Sequence, residues 1–223
     1  MKQAKNALLL ISGGIDSPVA GKLAQEKGYE LHAVHFSQEP FTDNTAELKS
    51  LLLCKKLGIK EMIVVPAGEA FKEISNNTYR EHYFVLMKRF MMRTAEKVAQ
   101  ANKCEYLITG ESIGQVSSQT LSNLNTINQA TKIEILRPLL FMYKQEIIDK
   151  SIEWNFFETS KGPEMCDALA SGSPKTRSTI EEIEKQEERV PIEELINDAI
   201  KKIRVESTAK EIKLPETVSG VCK

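Results

Sequence analysis

The residues with the clearest chemical potential lie near the amino terminus, in the segment Ser12-Gly-Gly-Ile-Asp-Ser17. The apolar run Ala7–Ile11 precedes this segment and is typical of a strand buried on both faces of a parallel sheet. Pro18 follows the segment, and proline is tolerated in the first turn of a helix. With Ser17 as a natural N-cap, a helix is expected to begin here. Strand, glycine turn and helix amino terminus together present unpaired N–H groups at the positive end of a helix dipole. The segment therefore predicts a phosphate-binding loop.

Two widespread phosphate motifs do not fit this loop. The P-loop pattern needs a glycine five residues before Gly21-Lys22 and Ser or Thr after them, but Asp16 and Leu23 occupy those positions. The dinucleotide pattern G-x-G-x-x-G fails because Gly13 and Gly14 are adjacent. The loop instead resembles that of the PP-loop ATP pyrophosphatases, which hold pyrophosphate while a substrate oxygen attacks the α-phosphate. An ordinary glycine turn in a doubly wound sheet is the alternative.

The composition restricts the class of protein more than its partners. Of 223 residues, 41% are hydrophobic and 27% are charged, as in a globular protein that buries one substantial core. Thirty basic residues against 31 acidic ones give a net charge of −1, so any nucleic-acid surface must be a local patch. No segment reaches membrane-spanning length, and the first apolar run is too short for a signal peptide. We therefore expect no membrane association and a cytoplasmic location.

The four cysteines are far apart in the sequence. They are Cys54, Cys104, Cys166 and Cys222, and they form no C-x-x-C pair. This spacing disfavours a zinc ribbon or a compact iron–sulfur site, and a reducing compartment disfavours structural disulfides. Cys54 and Cys104 are expected in the core because they lie in apolar helical and strand patterns.

Alternating strand and helix patterns predict an α/β fold with a doubly wound, five-stranded parallel sheet. A long helix is expected over Tyr83–Ala101, and the sequence changes character after Lys161. We therefore expect a domain that resembles the PP-loop ATP pyrophosphatases over 1–175, and a C-terminal helical extension and tail over 176–223. The predicted strands are Ala7–Ile11, Tyr29–Phe36, Met62–Pro66, Cys104–Gly110 and Ile133–Pro138.

Several polar residues follow predicted strands, at the edge where open α/β sheets bind ligands. His35 and Phe36 end the second strand, and the polar loop 110–124 follows the fourth. The long helix carries basic residues that partly share one face by three- and four-residue spacing. That face is either a nucleic-acid patch or an ordinary solvated surface. Its residues are Lys88, Arg89, Arg93 and Lys97.

Four segments carry a more specific resemblance. They are the first loop with the following Pro-Val-Ala, Lys-Arg-Phe-Met-Met-Arg at 88–93, Thr-Gly-Glu-Ser-Ile-Gly-Gln-Val-Ser-Ser-Gln-Thr at 109–120, and Arg137-Pro-Leu-Leu with Lys144-Gln-Glu-Ile-Ile. Together they resemble the tRNA 4-thiouridine sulfurtransferase (ThiI) family, from about Ala7 to near Ile203. The resemblance implies an adenine nucleotide alpha hydrolase-like, Rossmann-like fold that uses ATP and Mg²⁺.

The resemblance also implies an ATP site. Leu10 and Ile11 would border the nucleotide, and the pyrophosphate would be held by Ser12, Gly13, Gly14, Asp16 and Ser17. His35 and Phe36 would flank the adenine or ribose, and the pocket would be completed by Lys88, Gly110 and Gln119. No dedicated protein metal site is expected.

Three residues would act in the chemistry implied by the resemblance. Asp16 would shape the loop or assist magnesium, and Lys144 would neutralise charge that develops at the α-phosphate. Cys166 stands where the family carries a cysteine that acts in sulfur transfer. A thiolate or persulfide in a Gly- and Pro-rich segment suits that role, although an incidental exposed thiol is the alternative.

The chain departs from the family pattern outside this region. Fewer than ten residues precede the first strand, and no rhodanese-like segment follows, so we expect a stand-alone domain without the ferredoxin-like, THUMP and rhodanese domains. Binding of tRNA would then need another chain or self-association, with a homodimer as one form. Sulfur would come from a separate donor or persulfide carrier protein. Cys222 is a weak candidate as a resolving partner of Cys166.

The leading hypothesis is an ATP-dependent tRNA sulfurtransferase-like enzyme. It would adenylate a uridine carbonyl oxygen, release pyrophosphate, and allow sulfur insertion of the 4-thiouridine type. One alternative is a PP-loop adenylating enzyme that acts on a small molecule in sulfur metabolism. The other is a nucleotide-binding subunit without catalytic activity.

Overall fold

The protein folds around one six-stranded sheet. The computed structural model describes residues 5–114, 119–162, 174–212 and 214. The strand order is β5-β4-β1-β2-β3-β6, in which the first five strands are parallel and β6 is antiparallel to β3. The strands are β1 Lys5–Leu10, β2 Tyr29–Ser37, β3 Glu61–Pro66, β4 Tyr106–Ile108, β5 Glu134–Leu136 and β6 Arg204–Ser207.

Helices cover both faces of the sheet, as expected for a doubly wound fold. Leu8 and Leu10 of β1 pack into one apolar cluster, while Ala7, Leu9 and Ile11 pack into the cluster on the opposite face. This alternation explains why the strand reads as an unbroken apolar run. The helices are α1 Asp16–Glu26, α2 Thr45–Lys56, α3 Gly68–Asn77, α4 Tyr83–Ala101, α5 Leu121–Asn128, α6 Lys144–Glu153, α7 Phe157–Ser160, α8 Ile180–Glu187 and α9 Ile192–Lys201.

The sheet changes winding direction at β1. After β1 the chain adds β2 and β3 on one side, then crosses over to place β4 and β5 on the other side. The loops that follow β1 and β4 therefore lie side by side at the carboxyl ends of the strands. In open α/β sheets this crevice is where ligands bind.

The sixth strand was not predicted, because five strands were expected and the region from Glu206 had no periodicity. The segment Arg204-Val-Glu-Ser offers only one apolar residue, and that residue, Val205, is exposed. Backbone pairing with β3 and a paired contact of Arg204 with Glu47, at 2.6 and 2.8 Å, hold β6 instead. The division at residue 175 stays a prediction.

Helix α5 was also missed, since its first half, residues 121–124, belonged to the predicted polar loop. Its sequence contains few good helix formers, and tertiary hydrogen bonds stabilise it instead. Fully buried Asn123 donates to the Lys175 carbonyl and accepts from the Ser178 N–H, each at 2.9 Å. Thr120 is its N-cap, as its side chain accepts from the Asn123 N–H at 3.2 Å.

Within the described ranges, no helix is both long and apolar enough to cross a bilayer.

Candidate active site

The loop after β1 is shaped by a glycine that no other residue could replace without strain. Gly13 has φ +82°, and a Cβ there would lie 2.7 Å from the carbonyl oxygen of Ala46. The Ser12 N–H donates to Ser17 Oγ at 3.2 Å, and the Gly14 N–H donates to Ser12 Oγ at 3.4 Å. The loop is thus folded back on its own serines.

The amino terminus of α1 is left without a side-chain cap. The prediction that Ser17 is the N-cap is wrong, because α1 begins at Asp16 with Ile15 as N-cap residue. Ile15 carries no side-chain acceptor, and buried Ser17 instead faces back to the start of the loop. The first amides of α1 therefore remain available to an external anion, at the positive end of the helix dipole.

The backbone after β4 packs directly on this helix start. A Cβ on Gly110 would lie 2.8 Å from both the carbonyl carbon of Asp16 and the backbone nitrogen of Ser17. Only glycine allows this approach, because the atoms in the way belong to the backbone. Gly110 therefore fixes the spacing between the loop that follows β4 and the first turn of α1.

We expect Gly110→Ala to disturb this contact more than it disturbs the fold. The added methyl group should cost about 1–3 kcal/mol of unfolding free energy and displace the first turn of α1. Nucleotide affinity, measured by isothermal titration with ATP, should fall. Gly28→Ala is the matched control, because Gly28 has φ +86° with nothing within 4 Å and should cost about 1 kcal/mol without weakening ATP binding. Unchanged ATP affinity in Gly110→Ala would contradict this expectation.

A cation and a carboxylate from distant parts of the chain meet beside the loop. Lys144 Nζ, at the first residue of α6, lies 2.7 Å from Asp16 Oδ1, at the first residue of α1. The side chains are 44% and 25% exposed, so the pair remains accessible to a ligand. The structure thus brings together two of the residues predicted from the sequence to act in the chemistry.

A third predicted residue belongs to a buried charge cluster. Lys88 Nζ donates to Glu111 Oε1 at 2.6 Å, and Arg137 Nε donates to Glu111 Oε2 at 2.7 Å. Thr109 Oγ1 donates to the same carboxylate at 3.1 Å. Burial alone would raise the pKa of Glu111, but the two cations outweigh it and lower that pKa to about 2. Glu111 therefore stays ionised and holds both cations in place.

Arg137 retains a buried donor that could serve a ligand. Its Nη2 is buried and has no hydrogen-bond partner within the described part of the chain. Such an orphaned donor is costly unless an acceptor arrives. An anionic or carbonyl-bearing ligand would provide that acceptor.

His35 is neutral where it lies. Burial lowers its pKa to about 4, despite a hydrogen bond from Nδ1 to the Ile11 carbonyl at 3.0 Å. Nδ1 is also 3.1 Å from Ser50 Oγ, a hydroxyl that donates to the Ala46 carbonyl. A neutral imidazole is suited to an uncharged ring or sugar rather than to phosphate, which fits the predicted position beside adenine or ribose.

The remaining predicted residues lie around this crevice in different ways. Leu10, Ile11 and Phe36 are buried apolar side chains: Leu10 and Phe36 pack in the cluster on one face of the sheet and Ile11 in the cluster on the other. Gln119 stabilises the loop after β4, because its Oε1 accepts from the Ser112 N–H at 3.2 Å and its carbonyl from the Gly114 N–H at 3.1 Å. Their contacts with a nucleotide stay a prediction.

Cys166 and Cys222 lie outside the described residues, whereas the other two cysteines are core residues as predicted. Burial raises the pKa of Cys54 to about 12 and that of Cys104 to about 11. A few residues before Cys166, buried Ser160 donates to the Gly14 carbonyl at 3.2 Å. The described segment that leads towards Cys166 therefore contacts the glycine loop.

The basic residues of α4 form internal pairs rather than a free cationic patch. Lys88 pairs with Glu111, while Arg89 and Arg93 share Glu187 at 2.8 and 2.7 Å. Lys97 is 3.3 Å from Glu193. Sequence reasoning also missed Glu111 and Arg137 as site residues. Their signal was present, since Glu111 directly follows the predicted fourth strand and Arg137 lies near the end of the predicted fifth strand.

The donor set fits a nucleotide triphosphate better than it fits a protein-held metal. Uncapped amides, Lys144 and the orphaned Arg137 donor all suit anionic oxygen. Among the described residues, no group of three or more His, Cys, Asp or Glu side chains could hold a metal ion. Asp16 is the carboxylate at the loop that could contact a cation carried by phosphate oxygens.

Comparisons with known proteins agree on one family. The family model described as "Thiamine biosynthesis protein (ThiI)" matches residues 2–192. A relative from Alkaliphilus oremlandii, named "Probable tRNA sulfurtransferase", is 40% identical over 211 residues, which are 92% of this chain and 54% of the relative. One of the same name from Acetivibrio thermocellus is 38% identical, over 89% of this chain and 52% of the relative. The chain thus spans about half the length of these curated relatives.

Solved structures show the same similarity. A "4-thiouridine synthetase - RNA complex with bound ATP" aligns with a TM-score of 0.84 and 34% identity, over 91% of this chain and 55% of that chain. The NMN synthetase from Francisella tularensis aligns with a TM-score of 0.57 and 18% identity, over 92% and 81% of the two chains. The second similarity is one of fold only.

Proposed function

This chain belongs to the ThiI family, and from that premise we propose that it carries the adenylation step of an ATP-dependent tRNA sulfurtransferase. A uridine carbonyl oxygen of tRNA attacks the α-phosphorus, and the bond to the bridging oxygen of pyrophosphate breaks. Pyrophosphate leaves, and the uridine carbon now bears AMP through its former carbonyl oxygen. A sulfur nucleophile then attacks that carbon, and AMP departs with the oxygen.

One observation carries the proposal. The Lys144–Asp16 contact of 2.7 Å places a cation and a carboxylate beside uncapped helix amides, at the carboxyl edge of the sheet. The two side chains are partly exposed, so they do not pack the core. An exposed ion pair contributes only about 0–1 kcal/mol to the free energy of unfolding, so stability does not explain the pair either. It is the arrangement that a phosphoryl-group reaction needs.

The residues divide the work of the adenylation step. The amides of the loop and of the first turn of α1 bind the departing pyrophosphate. Lys144 donates to oxygens that gain charge as the α-phosphorus is attacked. His35 stays neutral and lies against the uncharged part of the nucleotide, while Lys88 and Glu111 position the loop after β4. ATP supplies the leaving group and the adenylyl group.

Magnesium is proposed as the ion that accompanies ATP. Mg²⁺ binds through phosphate oxygens and one or two carboxylates, and it keeps several of its waters. Asp16 is the carboxylate in position for this contact. It would exchange its bond with Lys144 for the ion, which would free Lys144 to donate to phosphate.

Sulfur delivery is proposed to involve Cys166 and a second protein. Because AMP is a good leaving group, the terminal sulfur of a persulfide can displace it from the activated carbon. A second thiolate then attacks the inner sulfur and breaks the S–S bond, which leaves one sulfur on the uridine and a disulfide on the protein side. A persulfide carrier would supply sulfur, and another chain or a second copy of this one would strengthen the RNA binding that this chain supplies. We expect the protein to act in the cytoplasm, where its tRNA substrate is.

The two steps should separate by mutation. We expect Asp16→Ala to abolish AMP formation, and Cys166→Ser to leave it within about twofold of wild type while 4-thiouridine formation stops. The assay combines an unmodified tRNA transcript, ATP, Mg²⁺ and a persulfide-loaded carrier. It follows AMP and pyrophosphate by chromatography and thiolated nucleosides by mass spectrometry.

Cys54→Ser is the matched control for the thiol, because Cys54 is buried in the core. It should keep thiolation in the fraction that folds. Equal loss of both steps in Cys166→Ser would contradict the division of labour. Absence of tRNA-dependent pyrophosphate release from the wild-type chain, across carriers and transcripts, would overturn the proposed function.

A further inference from the structure

The loop between β5 and α6 presents two aromatic side chains to solvent beside the candidate active site. Phe141 is 81% exposed and Tyr143 is 79% exposed. They bracket Met142 and stand directly before Lys144, the residue that contacts Asp16. A large aromatic side chain gains more from burial than almost any other, so two such side chains at the mouth of a site require an explanation.

The exposure does not come from a loose loop. Leu139 is fully buried, and the Met142 N–H donates to its carbonyl at 2.9 Å. Ser112 Oγ donates to the Met142 carbonyl at 3.0 Å, and the Ile113 N–H donates to the Leu140 carbonyl at 3.0 Å. The backbone is therefore fixed to the loop after β4, while the two rings point away from the core.

The rings also lack the contacts that usually cover an exposed aromatic residue. Tyr79, another exposed aromatic side chain, has the guanidinium carbon of Arg189 at 4.6 Å from its ring centroid. No aromatic or cation contact to Phe141 or Tyr143 occurs among the parts of the chain that the structure describes. Among the described residues, therefore, neither ring face carries such a contact.

We propose that Phe141 and Tyr143 bind an unpaired nucleobase of the RNA and hold the acceptor uridine at the adenylation site. The inference rests on the proposed function and adds residues to it. A base inside a helical stack cannot bring its carbonyl oxygen to the α-phosphorus, so it must leave the stack. Proteins hold such bases by stacking them on aromatic side chains.

The charge of the loop fits RNA. Residues 137–144 read Arg-Pro-Leu-Leu-Phe-Met-Tyr-Lys and contain no carboxylate that would repel the phosphate backbone. Lys144 is the exposed cation of this segment, because Arg137 is buried against Glu111. The nearby Glu146 carboxylate accepts from the Tyr143 N–H at 2.7 Å, which holds it at the first turn of α6. A protein partner is the other class of occupant, and the experiment below separates the two.

The test compares removal and conservation of the rings. The variants are the double substitution Phe141→Ala with Tyr143→Ala, and the double substitution Phe141→Tyr with Tyr143→Phe, which keeps both rings. Tyr79→Ala is the control, because it removes another exposed aromatic side chain that does not belong to this loop. Each chain is titrated into a fluorescently labelled, unmodified tRNA transcript, and ATP affinity is measured separately by calorimetry.

Loss of both rings should weaken tRNA binding by roughly 5- to 150-fold per stacked base and leave ATP affinity unchanged. The variant that keeps both rings and Tyr79→Ala should bind as wild type. Unchanged tRNA affinity in the alanine double variant would overturn the inference. If thiolation from the persulfide carrier is lost while tRNA affinity persists, the surface belongs to a protein partner and the RNA assignment is also overturned.

Failure of the proposed function has a different signature. In that case the wild-type chain itself shows no tRNA-dependent AMP formation, and this result overturns both proposals. If the wild-type chain forms AMP, but the alanine double variant binds tRNA as tightly as the wild-type chain does, only the role of the aromatic residues is overturned.

Discussion

Replacement of Lys144 by methionine is expected to lower tRNA-dependent AMP formation by about 10²–10³-fold. Methionine has an unbranched side chain of similar size without the charge, so the loss of AMP formation measures the contribution of the cation alone. The fold should be unaffected, because the Lys144–Asp16 pair is partly exposed and such pairs contribute little to stability. The measurement is single-turnover AMP formation at saturating ATP, with the melting temperature recorded for each variant.

The matched control for this variant lies in the same helix. Lys150 is in the last turn of α6, and its Nζ is 4.9 Å from the centroid of the Trp154 ring. Lys150→Met should form AMP at the wild-type rate. A Lys144→Met variant with an unchanged chemical rate would show that the cation is not used in the adenylation step, although it lies beside the loop.

Much of the fold could be predicted because its signals are local. Buried parallel strands give continuous apolar runs, and α4 begins and ends at the predicted residues, Tyr83 and Ala101. The failures are elements held by contacts distant in sequence. Strand β6 depends on pairing with β3, and α5 depends on hydrogen bonds between Asn123 and residues after 174. Neither contact leaves a periodic pattern in the sequence.

The candidate site shows the same division. The glycine loop was recognisable because a tight turn that approaches a ligand needs glycine, and Gly13 does have a positive φ. Pairings across the fold were not recognisable from spacing. Four basic residues on one face of α4 were equally consistent with a nucleic-acid surface, but each has an internal acidic partner. Only the folded chain shows which carboxylate meets which cation.

The Glu111→Gln variant is expected to show the largest stability loss of those considered. Glu111 is the shared acceptor of Lys88 and Arg137, with side chains that are 7%, 16% and 8% exposed. Removal of one partner from a buried ionic cluster costs about 3–5 kcal/mol, because the remaining charges stay buried without a counterion. In a protein of this size the melting temperature should fall by roughly 6–20 °C. Urea unfolding at pH 7 measures the free energy directly.

Two matched variants separate the charge from the size of the side chain. Glu111→Asp keeps the charge and should lose less stability than Glu111→Gln, although the shorter side chain weakens both contacts. Glu146→Gln removes an exposed carboxylate at the start of α6 and should change the free energy of unfolding by less than about 1 kcal/mol. Similar losses in Glu111→Gln and Glu146→Gln would contradict a special role for the buried cluster.

The pH dependence of this loss follows from the lowered pKa of Glu111. Its pKa is 4.5 in a free carboxyl group and about 2 in the folded protein, which corresponds to about 3 kcal/mol of stabilisation at neutral pH. That stabilisation is present above pH 4.5 and is lost as the pH falls towards 2, because the unfolded chain binds the proton first. The difference in unfolding free energy between wild type and Glu111→Gln should therefore narrow by roughly 1–2 kcal/mol between pH 7 and pH 3.5. A difference that stays constant over this range would show that Glu111 acts through packing, and that the two cations do not depend on its charge.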